Sequence, residues 1–387
     1  MTPYRLWAKS LSMTFNSSAL DPPILEIGSV KSRYPIIQGG MGVGISMSGL
    51  ASAVARAGGI GVVASVLIGL NEKDFHKHPR EATFRALDRE IRKAKDLSNG
   101  GPIGVNIMVA LQDYEEMVHI SASAGADVII SGAGLPLKLP GMLPDGCKSA
   151  LVPIVSSGRA AGLLCRRWKE HYGRLPDGFV VEGPKAGGHL GFKAEDLFKP
   201  EFQVENLVKE VIEAVKPWED EASCRIPVIA AGGIYTGEDI YDFIQMGASG
   251  VQMGTRFVAT HECDASQEFK EAYLKASKED VMIIKSPVGL PGRALKGAFL
   301  EKMARGEKHP KRCAYKCIKT CRYPDTPYCI GMALINAQKG NLGAGFVFCG
   351  ENVYRIDRIV SVRELMDELV EGYRKAAARK DKTLATA

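Results

Sequence analysis

The sequence predicts an α/β fold, a (β/α)8 TIM barrel carrying an inserted helical, cysteine-bearing segment after its eighth strand. Three observations predict it. Short runs rich in Val and Ile recur along the chain with helix-patterned stretches between them. Most of these runs are apolar without polar alternation, as parallel strands covered on both faces must be. Glycines gather where the apolar runs end, the places where backbone turns tightly or approaches a ligand. Strands alternating with helices close most economically into a barrel, with a doubly wound open sheet as the alternative.

The eight strands are read at Pro35–Gln38, Gly61–Ser65, Ile103–Val109, Val128–Ser131, Leu151–Val155, Phe179–Glu182, Val228–Ala231 and Val251–Gly254. Between them, helix periodicity covers Ser48–Arg56, which starts at a cap-like Ser and stops at Gly58-Gly59, and the charged amphipathic stretch Glu81–Leu97. Tyr114–Ala124, Ala160–Tyr172, Val204–Val215 and Gly237–Met246 fill further slots, while the proline-containing Gly132–Ser149 connection is the poorest helix. After the eighth strand the rhythm breaks until a last helix from Val362 to about Arg379. The expected organisation is an N-terminal extension over 1–23, a barrel over 24–260, an inserted cap over 261–350 and a returning C-terminal helix over 351–387.

In such barrels chemistry sits where strands end and loops begin. Glycine turns after strands seven (Gly232-Gly233) and eight (Gln252-Met253-Gly254-Thr255) would expose backbone N–H groups, and the helix after each would aim its positive end inward. These turns are read as a phosphate cradle, against the alternative that their glycines only allow close packing. The run Gly39-Gly40-Met41-Gly42-Val43-Gly44 is not a dinucleotide fingerprint. A G-x-G-x-x-G register begun at Gly40 puts Ile45 third, and one begun at Gly42 puts Met47 there. Close backbone approach to a flat ring accounts for it better. Asn106, a polar amide inside an apolar strand, needs either a ligand or a structural hydrogen bond. His189 is the one histidine of seven in a glycine-rich strand-end loop, where an imidazole can pass a proton near neutral pH.

Taken together, Pro35–Gly44, Gly104-Val105-Asn106, Ala186-Gly187-Gly188-His189-Leu190-Gly191, Ala231-Gly232-Gly233-Ile234 and Gln252–Phe257 resemble the nitronate monooxygenases. The flavin-dependent enoyl-acyl-carrier-protein reductases are similar in the same places. The resemblance runs over about residues 24–260. It implies a barrel binding FMN without a covalent link. Gly40, Met41 and Gly42 would line the flavin and Asn106 would bond to it. Gly187, Gly188, Gly232 and Gly233 with Gln252, Met253, Gly254 and Thr255 would hold the ribityl phosphate, and His189 falls on the catalytic histidine. The implied reaction takes an alkyl nitronate, or another carbanion-like acid, and O2 to a carbonyl compound and nitrite. The reductase alternative would use a reduced nicotinamide with an enoyl thioester or quinone. Many relatives carry another residue, often acidic, where this chain has Lys185, which could attract an anionic substrate.

Cys313, Cys317, Cys321 and Cys329 follow a C-x3-C-x3-C-x7-C spacing. If Pro310–Thr320 is helical, the first three thiols form one stripe about 6 Å apart per turn. Such a stripe could offer thiolates to an iron–sulfur cluster, although neither zinc knuckles nor common ferredoxin runs use this spacing. Redox-active or structural thiols are the alternative.

Composition bounds the rest. Hydrophobic residues make up 45% and charged residues 24%, which is globular, and the net charge of +6 is dispersed among 44 acidic residues. No aromatic-and-basic pattern suggests nucleic acid, and no apolar run approaches the roughly 18 residues of a membrane span. The first 23 residues lack the apolar core of a signal peptide. Nine cysteines without a secretory signal fit a reducing cytoplasm.

Overall fold

The computed structural model describes residues 20–307, Cys313 and 315–385, so most of the expected N-terminal extension lies outside the described residues. The chain opens with a hairpin, β1 (Leu25–Ile27) and β2 (Val30–Ser32), paired antiparallel across a turn whose Gly28 has φ +57°. The hairpin carried no sequence expectation. The barrel follows in order as β3 (Ile36–Gln38), α1 (Ser48–Arg56), β4 (Gly61–Ala64), α2 (Pro79–Leu97), β5 (Ile103–Met108), α3 (Tyr114–Ser123), β6 (Val128–Gly132), β7 (Ala150–Val155), α4 (Gly158–Tyr172), β8 (Phe179–Glu182), β9 (Gly188–His189), α5 (Val204–Ala222), β10 (Val228–Ala231), α6 (Gly237–Gln245), β11 (Gly250–Met253) and α7 (Thr255–Val258).

Eight of these strands form one parallel sheet ordered β3-β11-β10-β8-β7-β6-β5-β4. Its ends meet: Ile60 N–H donates to Ile36 O (3.0 Å) and Gln38 N–H to Ile60 O (2.9 Å), joining the first strand to the approach of β4. That closure makes the sheet a barrel and removes the open-sheet alternative. The predicted strands agree to within one or two residues. The helices differ where local chemistry was underweighted. α2 begins at Pro79, a residue suited to a first helical position, and α5 runs through Pro217 to Ala222.

Two apolar layers result. Inside the barrel Ile37, Val62, Ile130, Val152, Val180 and Ile229 pack together, and Leu25 and Ile27 of the hairpin plug the N-terminal end. Outside, the helices bury the other strand faces around Trp168 and Phe257. The stretch between β6 and β7 has only a 3-10 turn at Leu139–Met142.

Beyond α7 come α8 (Gln267–Leu274), β12 (Val281–Lys285), β13 (Pro291–Leu295), α9 (Ala298–Ala304), α10 (Ile330–Gln338) and α11 (Val362–Ala385). β12 and β13 form an antiparallel ribbon that the helical reading of this segment did not foresee, and β9 joins it as a third strand. α11 packs against both α1 and α6; a Cβ on Gly237 would lie 2.1 Å from Leu369 O, so only glycine lets the two helices meet there. No helix of the described residues is long and apolar enough to cross a membrane.

Candidate active site

At the C-terminal mouth, side chains on the strand ends point inward from β3, β5, β8 and β11. Gln38 is satisfied: its Oε1 accepts from Val62 N–H at 3.0 Å, and its Nε2 donates to Gly39 O. The others are not. Gln252 Oε1 is buried with no hydrogen-bond partner among the described residues. The half-buried Asn106 amide has none among the described residues either. Glu182 is likewise unpartnered, and burial pushes its carboxyl up to about 7. A buried polar atom without a partner costs stability unless something else completes it.

Gly40 and Gly42 at this rim also have a packing reason to be glycine. A Cβ on Gly40 would fall 2.2 Å from Asn106 Cβ, and one on Gly42 would fall 2.1 Å from Val66 Cγ1. Their absent side chains let the first loop pack onto the neighbouring strand ends, while both residues and Met41 remain partly open to the mouth. Met253 points away from the mouth into the packed layer under the helices, at 3% exposure, so it can offer a ligand only backbone.

His189 lies on β9, held in the ribbon by pairing with Gly292. Its Nε2 is 2.7 Å from Ser286 Oγ, its ring meets Phe348 edge-on at 5.1 Å, and burial lowers its pKa to about 4. The imidazole is therefore neutral at pH 7, with Nδ1 free of hydrogen bonds to described residues. The loop before it is clamped by Arg293, 3% exposed, which donates to Pro184 O (2.5 Å) and Ala186 O (2.7 Å) and faces Glu351 at 3.4 Å. Burial pulls the guanidinium's pKa down, but Arg remains charged.

The turns after β10 and β11 come together. Ala231 and Gln252 are register partners, and one short segment bridges both turns: Gly350 N–H donates to Thr255 Oγ1 (2.9 Å) and Asn352 Nδ2 to Gly233 O (2.6 Å). Gly232 and Gly233 have φ of +95° and +89°, conformations open to glycine at no steric cost. A Cβ on Gly187 would lie 2.6 Å from the Cys349 carbonyl carbon, so that glycine seats the bridging segment; Gly188 has φ +77°. The helix ends beside these turns are partly occupied. α6 carries its own capping box, in which Thr236 Oγ1 accepts from Asp239 N–H and the Asp239 carboxylate accepts from Tyr235 and Thr236 N–H. α7 is a single four-residue turn whose first amides, Thr255 and Arg256, have no acceptor within the helix. Donors at this site are backbone amides of the turns.

The cysteine segment departs from expectation. Pro310–Arg312 and Ala314 lie outside the described residues, and 315–320 are not helical. Lys316 sits at φ +44°, Ile318 bridges Leu111, Cys317 O accepts from Gln112 N–H and Lys319 N–H donates to Ala110 O. The backbone is satisfied by the loop after β5 instead of by a helical ladder, so no stripe of thiols forms. Cys317 and Cys329 pack in one apolar cluster with Phe75 and Tyr315. Burial, then the charges of Cys329, Cys313 and Cys321, push the Cys317 thiol up to about 12. Among the described residues no three His, Cys, Asp or Glu side chains are placed to hold a metal ion, and no disulfide forms.

Sequence reasoning placed Asn106, His189, Gln252 and the paired turns at one end of the barrel, where the structure also has them. It passed over Glu182, Ser286, Arg293 and Phe348. Glu182 had a readable signal, a carboxylate closing an apolar strand. Ser286 and Arg293 act across 97 to 109 residues of chain, at a ribbon that had not been recognised, and Phe348 reaches His189 from further still.

The nitronate monooxygenase family profile matches residues 25–372. A (3aS,4S,5R,7aS)-5-hydroxy-7a-methyl-1-oxo-octahydro-1H-indene-4-carboxyl-CoA dehydrogenase of Mycobacterium tuberculosis is 29% identical over 75% of this chain and 70% of its own. A probable nitronate monooxygenase of Staphylococcus aureus is 25% identical over 71% and 79%. Among solved structures, FabK from Thermotoga maritima superposes with a TM-score of 0.68 at 26% identity, covering 91% of this chain and 96% of that one.

Proposed function

Since the chain belongs to the nitronate monooxygenase family and is an oxidoreductase, we propose that it binds FMN and oxidises alkyl nitronates with O2 to a carbonyl compound and nitrite. The observation that carries this reading is the placement of a neutral, buried imidazole at the same end of the barrel as unpartnered Asn106 and Gln252 and the paired glycine turns. The donor set suits a flavin: amides for the ring edge and ribityl chain, and exposed backbone N–H groups for a terminal phosphate. FMN, when bound, supplies the electron sink that a carbanion-like substrate requires.

The protein's own residues do the rest. Arg293 fixes the Pro184–Ala186 loop and the ribbon fixes β9, so His189 is positioned from both sides. With Ser286 Oγ accepting from Nε2–H, Nδ1 carries the lone pair and can take the α-proton of a neutral nitroalkane. An already ionised nitronate needs no base, so this role concerns neutral substrates. Phe348 walls one edge of the imidazole from water.

The likeness to FabK favours a second reading, an NAD(P)H-dependent reductase of an enoyl thioester or quinone. Oxygen uptake on adding nitronate without NADH supports the first reading; flavin bleaching by NADH with no nitronate-dependent uptake supports the second. An iron–sulfur cluster on Cys313, Cys317, Cys321 and Cys329 would require those side chains to close further than they stand. Iron and sulfide assay of anaerobically purified protein is its test.

A further inference from the structure

We infer that Lys185 is the cation that neutralises the cofactor's phosphate, a role resting on the flavin reading above. Three observations lead there. The N–H groups of Tyr235, Thr236 and Asp239 are taken by the capping box of α6, and α7 is a four-residue turn, so the donors on offer are mainly neutral backbone amides of the turns after β10 and β11. A phosphate monoester carries close to two negative charges at neutral pH, which neutral amides leave uncompensated.

The stem of Lys185 lies directly over the first turn: a Cβ built on Gly233 would be 3.0 Å from Lys185 Cδ and 3.1 Å from its Cβ. The backbone beneath this stem is fixed, since Arg293 binds the carbonyls on either side and Lys185 O itself accepts from Glu351 N–H (3.2 Å).

Three arginines near the turns are already engaged. Arg256 donates to Tyr235 O (3.0 Å), pairs with Glu368 (2.9 Å) and stacks on Tyr235; Arg355 stacks on the same ring at 4.1 Å; Arg293 is bound to carbonyls and Glu351. Lys185 makes no ion pair with any described residue. The half-buried Lys185 thus carries a charge with no protein counter-ion among the described residues, beside a site that calls for one. Lys185 serves the cofactor and not the substrate.

Equilibrium binding of FMN and of riboflavin, which lacks the phosphate, to apoprotein tests this on wild type, Lys185→Ala and Lys185→Arg. The charge-assisted contact predicts that Lys185→Ala weakens FMN about 10- to 100-fold while changing riboflavin by less than about 3-fold. Lys185→Arg, which keeps the charge, should recover most of the loss. Inorganic phosphate should compete with FMN for wild type and not for Lys185→Ala. Equal weakening of both flavins, or no weakening of FMN in a variant with wild-type melting temperature, overturns the assignment of Lys185 alone. Failure of wild type to bind either flavin overturns the flavin reading and this inference with it.

Discussion

At the N-terminal end of the barrel, Asp177 accepts from Leu151 N–H and Arg174, Asp127 accepts from Ile103 N–H and Lys95, and the β1–β2 hairpin drives Leu25 and Ile27 into the opening. At the C-terminal end, among the described residues, Gln252 Oε1 is buried without a partner, the Asn106 amide and Glu182 make no hydrogen bond, and Lys185 makes no ion pair. One end of a single sheet has these polar groups paired and its axis plugged by hairpin side chains; the other keeps polar groups unpaired among the described residues. Unpaired polar groups oppose folding, so their concentration at one end marks where a ligand completes the protein.

Substitutions at the two ends should therefore have opposite signatures. The largest effect is expected from His189→Asn, which should keep flavin bound and melting temperature near wild type while slowing turnover of neutral nitroalkanes by about 10²- to 10⁴-fold. Unchanged steady-state kinetics would remove the proton-transfer role. Leu25→Ala at the opposite end should do the reverse, lowering unfolding free energy by about 2–5 kcal/mol with flavin affinity of the folded protein unaltered. A large loss of flavin affinity in that variant would break the division between the ends. Gln252→Leu removes an orphaned acceptor, so denaturant melts of apoprotein should show no loss of stability, while flavin binding weakens by about 10-fold.

The smallest effect is in the pH dependence. Glu182 titrates near 7 in the fold against an ordinary 4.5, so its protonated form is favoured by folding. Its contribution is present at low pH and is lost as pH rises from 4.5 through 7. His189, lowered to about 4 from 6.5, acts at the other flank: stability falls as pH drops from 6.5 toward 4. Apoprotein melting curves from pH 5 to 8 should show Glu182→Gln gaining on wild type as pH rises. A constant gap would mean the carboxyl is already ionised.

The barrel was legible because buried parallel strands are continuous apolar runs, and β5 (IGVNIM) stood out by its single polar residue. The turn after β10 was legible because Gly232 and Gly233 sit at positive φ, which glycine adopts without strain. What the chain hid was of longer range. β12 (VMIIK) and β13 (PGRAL) are too short and irregular to separate from helix, so the ribbon that holds His189 went unread, and with it Ser286 and Arg293. One local device was readable but unread: Thr236 and Asp239 form a capping box, which takes up part of the α6 N-terminus beside the turn. At Gly40 and Gly42 the sequence did not show that a side chain would also collide with Asn106 and Val66.

The central claim is that the turns at Gly233 and Thr255 converge on one anionic group. A crystal structure of the FMN-loaded protein tests it most directly. The account predicts the flavin phosphate about 3 Å from backbone N–H groups of both turns, with the ring system at the mouth beside Asn106, Gln252 and His189. A phosphate bound elsewhere, or turns whose amides are filled by protein acceptors while flavin occupies another cavity, would contradict it.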